Sequence, residues 1–329
     1  MNEFPTLLDL KNSVLPGDGA IADVAEVMVE ENEALADFPM SRGNLLTGDV
    51  HFKRETMPVA VVRKINEGVE STTSKVVPST DTCIELYSRS IVDIKELELA
   101  PDASKYLLLQ SKPQIAKLGE DMITNVFFGN DSSGVLGFAA RYNSTTGPKK
   151  RQIINAAASG ATGTNLTSAY IVKWDPDEVT GIYPKNSTSG IKVDVLGKQL
   201  IPDKSDPRKQ FVAHVTDYSV TFGLKVRDDR YAARVCNIDM DDIADDEAAR
   251  QRFFEHLITA KNRIYHVTSG RVVIYVSPDL YTMMEIGAFN KSNMALGYKD
   301  VENDTRILTF SGIPIRKNDC QLVAEKRVA

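Results

Sequence analysis

The segment Leu45–Thr82 most constrains the fold of this 329-residue chain, because it has strand-forming residues but little apolar surface to join a core. Its strand-like stretches, Val50–Phe52 and Val59–Val62, lie in a segment interrupted by residues that disfavour strands, namely Pro58, Gly68 and Pro78. Lysines and arginines are interleaved with glutamates along it. This pattern predicts a long, polar β-hairpin that becomes ordered only when a partner holds it.

Apolar residues at helical spacing predict three amphipathic helices, at Ala20–Ala36, Ala103–Gly129 and Asp245–Ile264. The longest repeats its apolar positions at Ile115, Leu118, Met122 and Val126. Pro113 should start or kink this helix, and Gly129 should end it in the left-handed conformation. The first helix is too short to be stable alone, so we expect it to dock on its own domain or on a neighbouring subunit.

Strict alternation of apolar and polar residues over Tyr218–Val226 predicts a half-buried strand. Asp228 and Asp229 form a predicted turn, after which Tyr231–Val235 continues the alternation as the partner strand. Further predicted elements are strands at Ala169–Trp174, Arg271–Val276 and Ile313–Arg316, and a short helix at Asp279–Phe289. Because helices and strands mix without a regular βαβ rhythm, the sequence predicts an α+β fold.

Composition and charge exclude several classes of protein. The 45 acidic and 39 basic residues give a net charge of −6, which excludes a strongly basic protein that coats nucleic acid. The cysteines are few and scattered, at Cys83, Cys236 and Cys320, which argues against a disulfide framework and for a reducing compartment. We find neither a signal peptide nor an apolar run long enough to span a membrane, so synthesis in the cytoplasm is expected.

The loop Ser159–Asn165 has some features of a dinucleotide-binding fingerprint. Gly160 and Gly163 match its second and third glycines, but Ala158 stands where the first glycine makes the tight turn. The sequence from Ala169 onward is typical of a strand rather than the required helix. A flexible loop is therefore favoured, and a nucleotide-binding enzyme using residues 159–165 remains an alternative.

The acidic residues near 240 could suggest a calcium site, and they are Asp239, Asp241, Asp242, Asp245, Asp246 and Glu247. An EF-hand loop counted from Asp239 would need glycine at its sixth position, where Ala244 stands. An acid-rich helix start is favoured instead, because the helix dipole stabilises carboxylates there. Metal binding between subunits stays open at this point.

The remaining polar groups show no recognisable catalytic spacing. None of the histidines, which are His51, His214, His256 and His266, has a partner spaced as in a metal site or a catalytic triad. Arg227, Arg230 and Arg234 with the acidic turn form either a solvated edge or an ion-pair patch between subunits. We therefore predict no catalytic, cofactor-binding or metal-binding residue, and no enzyme.

The order of these segments resembles the Hong Kong 97-like fold of tailed-phage capsid proteins. Several strings are similar to one podovirus-type group, among them Phe128–Asp131, Gly137–Asn143, Gly181–Lys185 and Val226–Tyr231 leading to Cys236–Asp239. Gly312–Ile315 is similar to the closing strand of many such proteins. The resemblance covers nearly the whole chain, and it lies in the order of the strings rather than in any single one.

This resemblance implies a division of the chain into domains. Residues 1–39 would form an N-terminal arm, 40–82 an extended loop, and 83–141 a peripheral domain built on the spine helix Ala103–Gly129. Residues 142–304 would form the axial domain, although some strands, such as 217–236, could return to the peripheral domain. Residues 305–329 would supply C-terminal strands of the peripheral domain.

The resemblance also implies a function and partners. Many copies of the chain would assemble as hexamers and pentamers into the icosahedral shell that encloses double-stranded DNA, without reading its sequence. A scaffolding protein, a portal and a cement or decoration protein are expected partners, and no membrane is. Assembly would take place in the cytoplasm of the host bacterium, and no cofactor is expected. Another virion protein, such as a tube or decoration subunit, is the alternative.

Overall fold

The computed structural model describes residues 28, 32–56, 58–71, 73–157, 163–187, 191–203, 206, 208–267, 270–289, 296–301 and 305–329. The strands are β1 (Met40–Arg42), β2 (Gly48–Thr56), β3 (Lys75–Asp93), β4 (Ile153–Asn155), β5 (Leu166–Trp174), β6 (Val179–Tyr183), β7 (Ile191–Pro202), β8 (Gln210–Val226), β9 (Ala232–Asp239), β10 (Arg271–Val276), β11 (Leu296–Val301), β12 (Thr305–Phe310) and β13 (Ile313–Lys317). The α-helices are α1 (Glu33–Ala36), α2 (Ile94–Leu99), α3 (Ala103–Phe128), α4 (Phe138–Arg141), α5 (Met240–Asp245), α6 (Glu247–Arg263) and α7 (Pro278–Phe289).

The first sheet has six strands, in the order β1-β6-β8-β3-β2 with β7 also on β8. Its longest strand, β3, changes partner along its length. Residues up to Thr82 pair with β2, and residues from Cys83 to Asp93 pair with β8. The predicted hairpin is confirmed in β2 and β3, whereas Val59–Val62 is not a strand. These four residues lie in the long connection at the hairpin tip, where no neighbouring strand is available to pair with them.

The second sheet has seven strands, in the order β11-β12-β13-β10-β5-β9-β4. The strand predicted at Tyr231–Val235 exists within β9, but its predicted pairing with β8 is wrong. β9 pairs with β5, because a 3₁₀ turn at Asp229–Tyr231 carries the chain from one sheet to the other. β9 is buried on both faces along almost its whole length. The alternation of apolar and polar residues along a strand indicates which of its faces is buried, but it does not indicate which strand lies beside it.

Helix α3 packs its predicted apolar face into the core. Ile115, Leu118, Met122 and Val126 are all buried in a cluster shared with β5, β8 and the residues around α1. The helix begins at Ala103, as predicted, after the N-cap Asp102, whose carboxylate accepts from the backbone N–H groups of Ser104 and Lys105. Pro113 lies inside the helix, so of its two predicted roles the first, starting the helix, is wrong.

Gly129 ends α3, but with φ −54° and not in the predicted left-handed conformation. Glycine is needed there for a different reason. A Cβ atom at this position would lie 2.3 Å from the carbonyl oxygen of Asn125 and 2.5 Å from that of Val135. The close approach of two backbone segments, rather than a positive φ, excludes a side chain.

A second apolar cluster lies in the seven-stranded sheet, between its strands and helices α5, α6 and α7. The predicted helix at Asp245–Ile264 corresponds to α6, which is preceded by the short helix α5. Phe253 and Leu257 of α6 are buried there together with Phe310 of β12. Among the described residues, no helix is long and apolar enough to cross a membrane.

Candidate assembly surface

The hairpin tip exposes apolar side chains that a self-contained domain would bury. Val62 is 91% exposed and Ile65 is 95% exposed. Other exposed apolar residues of the hairpin are Phe52, Val59, Val61, Val69, Val76 and Val77. The prediction of a polar hairpin is thus incomplete, and the valine-rich run Val59–Val62 was the signal that could have shown it. A contiguous exposed apolar surface is typical of an interaction site.

The root of the hairpin is, in contrast, fixed to the rest of the subunit by buried charged groups. One oxygen of Asp81 lies 2.6 Å from Nη2 of Arg141, and the other accepts a hydrogen bond of 3.1 Å from the backbone N–H of Val226. The Arg141 guanidinium also donates to the carbonyl oxygens of Leu136 and Leu224. β3 is therefore bound to α4 and to β8 immediately before it changes partner.

On the opposite strand of the root, Asp49, His51 and Lys53 lie on one face of β2 at two-residue spacing. Asp49 is buried, accepts from the backbone N–H of Asn44 and lies 3.2 Å from Nζ of Lys225 on β8. This spacing is visible in the sequence, but it matches neither a metal site nor a catalytic triad. Its significance depends on β3 and β8, which bring partners from distant parts of the chain.

His51 is 5% exposed and occupies the centre of this root. Its Nδ1 lies 3.7 Å from Asp81 and 4.0 Å from Asp49, and neither ring nitrogen has a hydrogen-bond partner among the described residues. Burial lowers the pKa of His51, as do the nearby Lys53 and Lys225, whereas the two carboxylates raise it. The net shift is downward, so the imidazole is neutral at neutral pH.

Lys53 extends this arrangement to the turn between the two sheets. Its Nζ lies 3.9 Å from Asp229, and Nζ of Lys149 lies 3.3 Å from the same carboxylate oxygen. Burial lowers the pKa of Lys53, partly offset by the charge of Asp229. The hairpin root thus contacts the segment that links β8 to β9.

Residues 28 and 32–39, at the N-terminal end of the described chain, dock on their own subunit. For these residues the first of the two predicted alternatives, docking on the chain's own domain rather than on a neighbouring subunit, is therefore observed. Asp37 is 1% exposed and forms ion pairs with Arg271 of β10 and Arg316 of β13, the second at 2.5 Å. The ring of Phe38 packs edge-on against Trp174, with 5.2 Å between centroids. Residues 1–27 and 29–31, and with them most of the predicted helix Ala20–Ala36, lie outside the described residues.

Exposed apolar side chains also occur away from the hairpin, on β7, β8 and the helices α2 and α3. They are Val195 and Leu200 of β7, Val212 of β8, Leu99 of α2, and Leu108 and Leu109 of α3. β7 is an edge strand, and its Lys192, Lys198 and the register shift before Gly197 are features that disfavour pairing with a further strand.

The sequence motifs considered for chemistry do not come together in a site. Residues 159–162 of the loop Ser159–Asn165 lie outside the described residues. Asp239 and Asp246 accept from backbone N–H groups at the starts of α5 and α6, as expected of acids at helix N-termini. Across the described part of the chain, no group of histidine, cysteine and acidic side chains has the geometry to hold a metal ion.

The charged turn is satisfied within the subunit rather than left open. Arg230 pairs with Asp228 at 2.6 Å, and Arg227 lies 3.8 Å from Glu178. Arg234 is buried, pairs with Glu325 at 2.7 Å and donates to the carbonyl oxygen of Tyr142. These contacts join the segment after β13 to the junction of the two sheets.

Comparison with known proteins connects these surfaces to a family. The chain matches the family model described as major capsid protein GP7 over residues 16–329. Its structure is similar to that of a chain of bacteriophage Epsilon15, with a TM-score of 0.71 and 24% identity over 89% of this chain and 88% of that chain. The bacteriophage JBD30 capsid gives a TM-score of 0.48 and 9% identity over 86% and 88%. No curated protein matches the chain.

Proposed function

Because the chain belongs to the family of major capsid proteins described as GP7, we propose that its hairpin is the arm that joins neighbouring subunits of the phage shell. The α+β fold is Hong Kong 97-like, as the resemblance implied, and the protein is a structural subunit of a tailed-phage capsid. The proposal concerns which surfaces of this subunit hold the shell together.

The observation that carries the proposal is the contrast between the two ends of the hairpin. The root is bound by buried ion pairs, whereas the tip has valine and isoleucine side chains that are almost wholly exposed in the isolated subunit. Burial of one such side chain contributes about 1.5–3 kcal/mol. An arm with a fixed root and an apolar tip is suited to overlap a neighbouring copy, and many copies are present in a capsid.

The same contacts support a division into an N-terminal arm at 1–39, an extended loop at 40–82, a peripheral domain at 83–141 and an axial domain at 142–304. The pairing of β3 with β8 argues for including β8 in the peripheral domain, as considered for part of 217–236. The pairing of β13 with β10 argues for moving strands β12 and β13 to the axial domain, away from the peripheral assignment first given to 305–329.

In this proposal the chain is not an enzyme, and it forms hexamers and pentamers that close into an icosahedral shell around double-stranded DNA. Its net charge of −6 suits a shell that encloses DNA without coating it. Rings of identical subunits require different, complementary surfaces on one chain, and in this proposal the hairpin tip supplies one of them. A scaffolding protein, a portal and a cement protein act as partners, and assembly takes place in the host cytoplasm.

The test is to express the chain alone and with candidate scaffolding proteins, fractionate it on a sucrose gradient and view the fast-sedimenting material by negative-stain electron microscopy. Closed shells or capsomer-like rings are expected from the intact chain, and their loss from a chain with an altered hairpin tip. Shells formed equally well without an apolar tip would contradict the role of the arm. Tubes would contradict the shell geometry.

A further inference from the structure

The hairpin joins the six-stranded sheet at its root, a joint where one strand exchanges partners. At Thr82 and Cys83, β3 leaves β2 and begins to pair with β8. The backbones at this joint are in close contact, since a Cβ at Gly48 would lie 2.1 Å from the carbonyl oxygen of Asp81, and one at Gly223 would lie 2.5 Å from that of Thr82. The orientation of the whole hairpin therefore depends on how β2 and β3 are held at this point.

His51 lies within this joint and is packed against charged groups from every adjoining element. Asp49 and Lys53 are on its own strand, Asp81 is on β3, and Lys225 is on β8. From α4, Arg141 reaches Asp81 at 2.6 Å. The Cys83 thiol, whose pKa is raised to about 12 mainly by burial, is neutral and adds no charge.

The charges of this joint are balanced only while His51 is neutral. The carboxylates of Asp49, Asp81 and Asp229 lie beside the cations of Lys225, Arg141 and Lys53, so these three pairs sum to zero. Protonation of His51 would add a positive charge to a site that is 5% exposed and whose carboxylates already have cationic partners. Neither ring nitrogen has a hydrogen-bond partner among the described residues, and the carboxylates of Asp81 and Asp49, at 3.7 and 4.0 Å from Nδ1, offset that cost only in part.

We propose that the hairpin root is a proton-operated latch, in which neutral His51 keeps β2 and β3 packed against β8 and protonated His51 loosens them. The hairpin is then free to change its orientation relative to the six-stranded sheet. The latch is a property of the subunit itself, distinct from what the hairpin tip binds.

The direction of the effect follows from linkage. An exposed histidine has a pKa of about 6.5, and burial places the pKa of His51 in the closed root below that value. The open root therefore binds the proton more readily. The stabilisation of the closed root is fully present above pH 6.5 and is lost as the pH falls through the lowered pKa.

The test is hydrogen exchange of the full chain, measured by mass spectrometry between pH 8 and pH 5 and expressed as protection factors. If the closed root excludes the proton entirely, the equilibrium constant for opening of the root should be up to about 30-fold larger at pH 5 than at pH 8. This loss of protection should be confined to residues 48–56 and 75–82, while β10 keeps its protection. Electron microscopy of particles at pH 8 tests assembly independently of the latch. Failure of the latch and failure of the proposed inter-subunit role of the hairpin are therefore distinguishable.

The matched variants are His51→Gln, which cannot titrate, and His256→Gln, which removes another histidine whose pKa is lowered by burial, on the distant α6. The first should abolish the pH dependence at the root, and the second should leave it unchanged. Should His51→Gln fail to fold, the pKa of His51 can be measured in the unaltered chain by following its imidazole resonance by NMR as the pH is changed. Root protection independent of pH, or a His51 pKa above 6.5, would overturn the latch.

Discussion

Nη2 of Arg141 lies 2.6 Å from Oδ1 of Asp81, with both side chains buried and 60 residues apart in the chain. Asp81 also accepts from the backbone N–H of Val226, so one carboxylate connects the hairpin to a short helix and to a central strand. The hairpin of this capsid subunit is anchored by buried charged groups at its root and exposes apolar side chains at its tip.

Asp81→Asn should lower the free energy of unfolding by about 3–5 kcal/mol, because it leaves Arg141 as a buried charge without its counter-ion. Denaturant unfolding followed by circular dichroism would measure the loss. Asp194→Asn is the matched control, since Asp194 forms an ion pair with Lys192 that is largely exposed. Its effect should stay within about 1 kcal/mol, and equal losses from both variants would contradict the structural role of the buried pair.

Replacing Val62 and Ile65 together by serine should impair assembly while leaving the stability of the subunit within about 0.5 kcal/mol. Both side chains are almost fully exposed in the subunit, so their apolar surface can contribute only when a neighbour covers it. Sedimentation on a sucrose gradient would measure assembly. The double variant Val62→Ile with Ile65→Val preserves the apolar surface and should assemble normally. Unimpaired assembly of the serine variant would argue against the arm.

Gly181→Ala should lower the free energy of unfolding by about 1–3 kcal/mol through overpacking. A Cβ at this position would lie 2.5 Å from the ring of Phe38 and 2.6 Å from the sulfur of Met40, so the N-terminal arm would have to move. Thermal unfolding and limited proteolysis of the arm would measure the effect. Gly147→Ala is the control, since its nearest neighbour, Ser144, would lie at an ordinary 3.7 Å.

Asp37→Asn should loosen the attachment of the N-terminal arm, at a cost of about 1.5–3 kcal/mol for the lost charged hydrogen bonds. Asp37 is buried between Arg271 and Arg316, and an amide cannot balance their charge. Protease cleavage near residue 37 and the unfolding midpoint would both report the change. Asp319→Asn, at the exposed pair with Lys317, should leave both measurements unchanged.

Local features of this fold could be predicted from the sequence because they repeat at the period of a single element. The apolar spacing at Ile115, Leu118 and Met122 predicts the buried face of α3, and the alternation over Tyr218–Val226 predicts β8. Each pattern arises from one helix or strand facing a core, whatever that core contains. The acid-rich starts of α5 and α6 were predictable for another local reason, since the helix dipole stabilises carboxylates at a helix N-terminus.

The bounds of α3 were predicted to within one residue, but the roles of two residues in it were not. Pro113 is tolerated inside α3 although an isolated helix would favour starting there, since the packed core outweighs its local cost. At Gly129, the determining factor is the close approach of Val135, which the sequence does not reveal.

What the sequence by itself determined is the set of elements, the apolar faces of the helices and the existence of a long hairpin. Only the tertiary structure decided that β3 changes partner at Cys83, that β9 joins β5, and that His51 lies between Asp49 and Asp81. The physical reason is distance along the chain. Periodicity arises from neighbours within one element, whereas strand pairing and buried ion pairs bring together residues far apart in sequence, whose contacts exist only after the two sheets have formed.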